Sequence, residues 1–375
     1  MTDMVAFIDL ATQRARIRST LDASIAKVID EGRYILGPEV KALEAELSAF
    51  GEAPHALACA NGTDALALPL MAWGLRPGQA VFVPSFTFAA TAEVVPWLGA
   101  EAVFVDIDPL TYNMDPESLA AAIEAVKAEG RLEPAVVIAV DLFGQPADYP
   151  RIAELCREHG LKLIADSAQG FGCTLNNHHP IHWADVTTIS FYPAKPLGCY
   201  GDGGAVLCKD EALYGLMKSL AVHGEGETRY EYARIGMNSR LDTLQAAVLL
   251  AKLEIFADEI KDRNAAAERY AAGFGDVVRP HQVIEGGVSV WAQYTIEVDD
   301  RDGFRAALSE KGVPTAVYYP IPLHKQPPYA RFATAPGGLP VTETVAERVV
   351  SLPMDAYLDG ERQSRVIDAV RGALD

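Results

Sequence analysis

The stretch Thr187-Thr-Ile-Ser-Phe-Tyr-Pro-Ala-Lys195-Pro-Leu-Gly-Cys-Tyr-Gly-Asp-Gly-Gly204-Ala-Val-Leu207 decides how the rest of the chain is read. A strand-like run from Val186 to Tyr192 stops abruptly. Lys195 then stands between Pro193 and Pro196, four glycines follow, and a second apolar run opens at Ala205. Prolines hold φ and remove backbone donors, so they fix a loop here. A lysine on a turn is ordinarily a surface residue. On a rigid loop between two buried strands it can instead be an amine kept for Schiff-base chemistry, which needs a desolvated, well-placed lysine. The stretch alone leaves these two readings level.

Outward from it, apolar runs alternate with helical patterns. Strands are expected near 56–60, 80–83, 102–105, 135–140, 161–165, 186–191 and 205–208. Helices are expected over 17–31, from Pro38 to Phe50, from Ala65 onward, and over 87–98, 115–129 and 149–159. Pro38 suits a first helical turn, whereas Pro69 falls inside a helix and removes a hydrogen bond there. The strands are continuous apolar runs, which marks a sheet buried on both faces. Alternation implies an α/β fold with a mostly parallel sheet and helices on both sides. Ligands of such sheets bind beyond the carboxyl ends of the strands. That singles out Asn61 to Asp64, Ser85, Asp166 to Gln169 and Pro193 to Lys195.

Near Arg240 the pattern changes to one long helix, about 241–274, leading to a second unit. Strands are expected there near 288–298 and 315–319, and helices over 301–311, 342–350 and 360–374. The expected division is a large domain, 1–245, and a smaller C-terminal domain, 246–375.

Composition narrows the function. With 375 residues and half of them hydrophobic, the chain can bury a large core. A net charge of −19 argues against nucleic acid and anionic membranes as partners. The five cysteines show no paired metal spacing and fit reduced thiols, so no metal site is expected. No signal peptide and no apolar run of membrane-spanning length is visible, which points to a cytoplasmic protein.

Four features then fall at strand ends of one sheet. Asn61-Gly62-Thr63 opens a helix and can take a phosphate. Asp166 ends an apolar strand, Phe88 offers an aromatic face, and Lys195 supplies an amine. Each alone has an ordinary explanation, such as a helix cap for Thr63 or Asp64 and a turn for Asp166. Together they are the set that pyridoxal 5'-phosphate (PLP) requires: an amine for the Schiff base and a carboxylate that keeps the pyridine nitrogen protonated.

The chain resembles the DegT/StrS family of sugar aminotransferases. The resemblance runs through Gly37-Pro-Glu-Val40, Ala60-Asn-Gly-Thr-Asp-Ala-Leu66, Phe86-Thr-Phe-Ala-Ala-Thr91, Asp166-Ser-Ala-Gln169, Phe191-Tyr-Pro-Ala-Lys195, Gly236-Met-Asn-Ser-Arg-Leu-Asp242 and Tyr319-Pro-Ile-Pro-Leu-His324. It implies a fold type I PLP-dependent transferase, with a large three-layer domain and a smaller C-terminal α+β domain. It also implies roles. Lys195 holds the cofactor and shuttles a proton, and Asp166 pairs with the pyridine nitrogen. Gln169 contacts the phenolic oxygen, Phe88 stacks on the ring, and Gly62, Thr63 and Ser190 hold the phosphate. Asn238 reaches the phosphate of the neighbouring subunit, which implies a homodimer with shared sites.

Departures from the family pattern are Ala165 and Ser167 beside Asp166, Pro69, and the loop Asn176 to His182 with its three histidines. Those histidines read as a solvated loop rather than a metal site. The resemblance is strongest to the branch that aminates the 3-keto group of UDP-linked N-acetylhexuronic acids, precursors of bacterial surface polysaccharides including lipopolysaccharide. In that branch Arg240 lies near the sugar carboxylate, with Tyr318 and Tyr319 as further substrate contacts and L-glutamate as amino donor. The alternatives are a 4-keto dTDP- or GDP-sugar aminotransferase, a PLP sugar dehydratase, from which Lys195 is absent, and a non-catalytic regulator.

Overall fold

The apolar runs form strands because only a pleated segment buried on both faces can hide every side chain of such a run. In the computed structural model, which describes residues 4–228 and 230–374, the first strands and helices alternate as expected. Helices α1 (Leu10–Arg16), α2 (Arg18–Glu31) and α3 (Pro38–Phe50) lead into β1 (His55–Cys59) and α4 (Gly62–Ala72). There follow β2 (Gln79–Pro84), α5 (Ala90–Trp97), β3 (Glu101–Val105), α6 (Pro116–Glu129), β4 (Glu133–Val140), α7 (Tyr149–His159) and β5 (Lys162–Asp166). A short β6 (Thr174–Leu175) precedes β7 (Val186–Ser190), β8 (Gly204–Cys208), α8 (Glu211–Ala221) and the long α9 (Thr243–Phe274). The C-terminal part holds β9 (Arg279–Pro280), β10 (Gly287–Val288), β11 (Tyr294–Glu297), α10 (Arg301–Glu310), β12 (Ala333–Thr334), α11 (Pro340–Arg348), β13 (Val349–Leu352) and α12 (Gly360–Leu374).

The large sheet has the order β1-β8-β7-β5-β4-β2-β3-β12. Only β8 opposes the rest: it is antiparallel to both β7 and β1, while the other pairings are parallel. Its reversal brings the start of β8 to the carboxyl edge, where Gly204 lies opposite both Cys59 and Ser190. One apolar cluster covers the face with α4, α5, α6 and α7. A second, on the other face, joins α3 to α9 through Leu43, Leu47, Leu249 and Phe256. These are the three layers. A small antiparallel sheet, β13-β11-β9, packs with α10, α12 and the end of α9 around its own apolar cluster.

Several elements differ from the sequence reading. The stretch 315–319 is not a strand; it makes a single bridge, Ala316 to Ser351. The helix expected over 342–350 stops at Arg348 because Val349 to Leu352 pair with β11. The helix expected from Thr87 begins at Ala90, leaving 85–89 as a turn. Helix α4 runs on through Pro69, and Trp73 N still donates to Pro69 O at 2.9 Å. Strand β12 pairs with β3, so a segment beyond residue 245 completes the large sheet.

Helix α9 reaches the loop after β7 through one buried cation. Lys252 Nζ donates to Gly198 O at 2.6 Å and lies 4.6 Å from the ring centre of Tyr200. Burial pushes this amine down from 10.5 to about 8, opposed by Glu259. We expect Lys252→Ala to lower stability by roughly 1.5–3 kcal/mol, the usual worth of a charged hydrogen bond. A lysine whose folded value is depressed binds fewer protons folded than unfolded between about 8 and 10.5, so its contribution grows as pH rises through that window. Urea melts at neutral and alkaline pH should therefore show a larger wild-type advantage at the alkaline end.

Candidate active site

The ends of β1, β5 and β7 and the start of β8 meet on one edge of the sheet. Helix α4 springs from β1 with Asn61 as its cap: Asn61 Oδ1 accepts from Asp64 N at 2.8 Å, and Asn61 O accepts from Ala65 N at 3.1 Å. The N–H groups of Gly62 and Thr63 have no partner among the described residues. Two glycines make this approach possible. A Cβ on Gly62 would lie 2.7 Å from Ser190 Cβ, and one on Gly204 would lie 2.4 Å from Asn61 O. The result is a cradle of helix-start N–H groups facing the Ser190 hydroxyl, which suits a phosphate.

Asp166 ends β5 and is buried. Its Oδ2 accepts from Thr91 Oγ1 at 2.8 Å and its Oδ1 from Ala168 N at 3.2 Å. Burial pushes this carboxyl up, against the pull of these donors and of Lys195. A nearby positive partner would return it to the charged form, so the position suits a protonated ring nitrogen. Lys195 sits on a turn closed by its own N–H to Tyr192 O at 2.8 Å. Part of its surface remains accessible, yet the amine is crowded by protein. Desolvation pushes the amine down and the Asp166 charge only partly opposes this. An amine lowered in this way is a better nucleophile near neutral pH.

Gln169 is fixed at both ends of its amide. Its Oε1 accepts from Phe143 N at 2.8 Å, and its Nε2 donates to Tyr319 Oη at 2.9 Å, leaving one N–H free. Burial, with the Asp166 charge behind it, keeps the Tyr319 hydroxyl protonated. The Phe88 ring is exposed, 6.3 Å from the Tyr319 ring, and is open to a planar ligand. Phe86, Tyr112 and Phe143 form an edge-to-face trio beneath, each pair at 6.3 Å, and Tyr319 joins Phe86 at the same distance. Tyr318 packs half-buried against the same apolar cluster.

Asn238, which bridges Val222, and Arg240 lie on an extended segment beside the cradle. Between them, Ser239 Oγ accepts from Ala60 N at 3.2 Å. The Asn238 side chain is exposed and Arg240 is half-buried. Thus Gly62, Thr63, Ser190, Asp166, Gln169, Lys195 and Tyr319 converge on one edge, and Asn238 and Arg240 stand at its rim. The histidine loop lies elsewhere: His178 and His182 stack at 4.1 Å, and among the described residues no group of three or more ligating side chains could hold a metal ion.

Sequence reasoning missed two participants and misplaced a third. Thr91, at the start of α5, holds Asp166. Asp141, at the end of β4, is fully buried, accepts from Ser167 Oγ and, at 2.7 Å, from Tyr149 Oη, and its N–H donates to Asp166 O at 3.0 Å. Burial pushes Asp141 up to about 7. Its signal was available, since it follows an apolar strand just as Asp166 ends one. Ser85 was a candidate for the ligand, but its hydroxyl is committed to His324.

A three-layer fold whose single reversed strand brings a phosphate cradle, a buried carboxylate and a desolvated lysine together is that of a fold type I PLP-dependent transferase. The chain belongs to the DegT/DnrJ/EryC1/StrS aminotransferase family, which matches residues 15–371. It is 47% identical to a UDP-2-acetamido-2-deoxy-3-oxo-D-glucuronate aminotransferase of Pseudomonas aeruginosa, over 95% of this chain and 96% of that protein. It is 39% identical to a UDP-N-acetyl-3-dehydro-alpha-D-glucosamine 3-aminotransferase of Acidithiobacillus ferrooxidans, over 99% and 98%. A crystal structure of a family member from Brucella abortus superimposes with a TM-score of 0.97 at 53% identity, over 98% of this chain and 99% of that one.

The cradle makes a direct test possible. Gly62→Ala places a methyl group against Ser190 and should weaken PLP retention at least tenfold, read by equilibrium dialysis, with the melting temperature little changed in the cofactor-free protein. Ser190→Gly in the same background makes room for the methyl group and should recover part of the loss.

Proposed function

We propose that this protein transfers an amino group from L-glutamate to the 3-keto carbon of a UDP-linked N-acetylhexuronic acid, using PLP held by Lys195. The observation that carries the reading is the meeting of Lys195, Asp166 and the Gly62–Ser190 cradle on one sheet edge. The 3-oxo substrates in the names of two relatives support the 3-position.

Bound here, PLP would supply the electron sink that transamination needs. The side chains do the rest. Gly62 and Thr63 N–H and the Ser190 hydroxyl would take the phosphate, and Phe88 would cover one ring face. Asp166 would hold a proton on the ring nitrogen, and the free N–H of Gln169 would meet the phenolic oxygen. Lys195, its amine lowered by desolvation, takes a proton from Cα of glutamate and returns one to the sugar carbon. Tyr318 and Tyr319 line the acceptor side.

Arg240 addresses a difficulty of charge. A protein of net charge −19 repels an anionic sugar nucleotide at long range, and a guanidinium offers bidentate contact to the sugar carboxylate. Asn238 and Arg240 are read as serving the partner subunit's site. Exposed Tyr34, Ile35 and Leu36 lie beside the end of this segment, where Thr243 N donates to Tyr34 O and Ile35 bridges to Asp242. Ile235 is 92% exposed on the approach to it. Large apolar side chains left exposed in this way suit a second copy of the chain. In this reading residues 1–245 form the large domain and 246–375 the small one, with the stretch around β12 returned to the large sheet. The protein works in the cytoplasm, and its product enters surface polysaccharide synthesis; among the described residues no helix is long and apolar enough to cross a membrane.

The test is a panel of UDP- and dTDP-linked keto sugars with glutamate, read by product mass. Amination of the UDP-linked 3-keto hexuronate supports the reading. Turnover of 4-keto dTDP sugars alone overturns the substrate, and no response to glutamate by any absorbance change overturns the enzyme. Lys195→Ala should lose at least about 10²-fold in turnover with the fold intact, the scale of a lost proton-transfer group. Arg240→Ala should weaken the sugar by roughly 1.5–3 kcal/mol and leave the glutamate half-reaction nearly untouched. Mixed Lys195→Ala and Arg240→Ala subunits should regain activity through one intact shared site; confirmed subunit exchange with no recovery would sink the sharing.

A further inference from the structure

The stretch from Tyr318 to Lys325 leaves the small sheet and crosses the mouth of the site. Tyr319 touches Gln169 at one end of this arm, and His324 is gripped at the other. Ser85, which follows β2 and is fully buried, holds the arm three times. Its carbonyl accepts from Leu323 N at 3.0 Å, its Oγ accepts from His324 N at 3.1 Å, and the same Oγ lies 2.7 Å from His324 Nδ1. On the far side of the ring, His324 Nε2 is 3.1 Å from Glu343 Oε1 on α11, and Lys325 Nζ is 2.9 Å from Glu343 Oε2. The start of α11 is itself held by Asp106, whose carboxylate accepts from Val341 N at 3.1 Å and Thr342 N at 2.8 Å.

The proton positions follow. Lys325 and His324 hold the Glu343 carboxyl below its usual range, so it is an acceptor. Facing it, Nε2 carries the proton. In the neutral imidazole Nδ1 is then the acceptor, and the Ser85 hydroxyl donates to it while accepting the His324 N–H. Serine, histidine and carboxylate in this order have the members of a hydrolytic triad. Ser85 Oγ, however, has no exposed surface and already accepts a backbone N–H, so no substrate can reach it.

We propose that His324 is a positioning residue for the acceptor sugar: clasped between Ser85 and Glu343, it sets the arm so that Tyr318 and Tyr319 stand over the cofactor edge. Glu343 acts on the arm by fixing the imidazole tautomer that Ser85 needs. The proposal rests on the reading of Tyr318 and Tyr319 as acceptor contacts. Lys195, Asp166 and the cradle lie on other strand ends and are not held by this clasp; of the cofactor contacts, Gln169 meets the arm through Tyr319 but is held independently by Phe143 N.

The test compares Ser85→Ala, His324→Asn and His324→Gln in the PLP-loaded enzyme. Asparagine can place its Oδ1 where Nδ1 accepts, whereas glutamine reaches only toward Glu343. Ser85→Ala and His324→Gln should raise the KM for the keto sugar at least fivefold, with the glutamate half-reaction and the visible absorbance band within twofold of wild type. His324→Asn should recover most of the loss. Amide exchange in a peptide spanning 317–326 should accelerate at least tenfold in Ser85→Ala, with the peptide around Lys195 unchanged. Equal losses in the sugar and glutamate half-reactions, or unchanged exchange in Ser85→Ala, would overturn the proposal. If the wild type aminates no keto sugar, the function reading fails by itself, and the exchange result alone decides whether the clasp holds the arm.

Discussion

The amine of Lys195 and the carboxylate of Asp166 share one water-poor edge of a sheet. Each is pushed toward its neutral form by lost hydration, and each is drawn back by the other's charge. Opposed buried charges are held only where geometry is tightly set, because desolvation costs several kcal/mol per ion. The surroundings supply that geometry. Prolines bracket the lysine, Lys252 pins the loop from behind, Thr91 and Ala168 hold the carboxylate, and Asp141 takes up the backbone next to it. The reversed strand β8 then fits a phosphate cradle into the same few ångströms, and only glycine at 62 and 204 leaves room for it.

Much of this was legible in the residues. Continuous apolar runs placed seven of the eight strands of the large sheet within a residue or two, because a doubly buried strand admits little else; the exposed two-residue β12 gave no such run. Lys195 stood out only in company: its proline-flanked loop alone left a surface lysine equally open, and Asp166, Phe88 and Asn61 to Thr63 at neighbouring strand ends decided it. The reversal of β8 was not legible, since a short apolar run reads the same in either direction. Helix α8 followed β8 without being anticipated. Residues 315–319 look like a strand by composition, yet they find one bridging partner instead of a ladder. Thr91 and Asp141 act through contacts with residues 75 and 26 positions away, and no local pattern encodes those pairings.

The two apolar units meet along the Phe86, Tyr112 and Phe143 trio, with α11 and β13 on the other side. Aromatic rings packed edge to face form a stiff seam. Around it lie polar ties that cross the same boundary, from Tyr112 Oη to Glu297 at 2.6 Å and from Asp106 to the start of α11. An arm carrying substrate contacts is therefore anchored to a seam that resists hinge motion, and the site is preorganised to a degree that isolated loops do not reach.

Strand β12 has a consequence for how the chain is made. Only two residues long, it lies along the outer side of β3, and Ala335 N closes the pairing on Phe104 O at 2.8 Å. Until the ribosome has released those residues, the Glu101–Val105 strand presents an open, apolar edge of the kind that pairs with other chains. Leu323, Tyr329, Phe332 and Leu339 arrive with β12 and bury themselves in the same large core. The amino-terminal two thirds of the chain must therefore wait, nearly folded and with one adhesive border, for a strip made more than two hundred residues later. Translation rate and chaperone cover during that interval therefore bear on the yield of folded chain, alongside the stability of the finished protein.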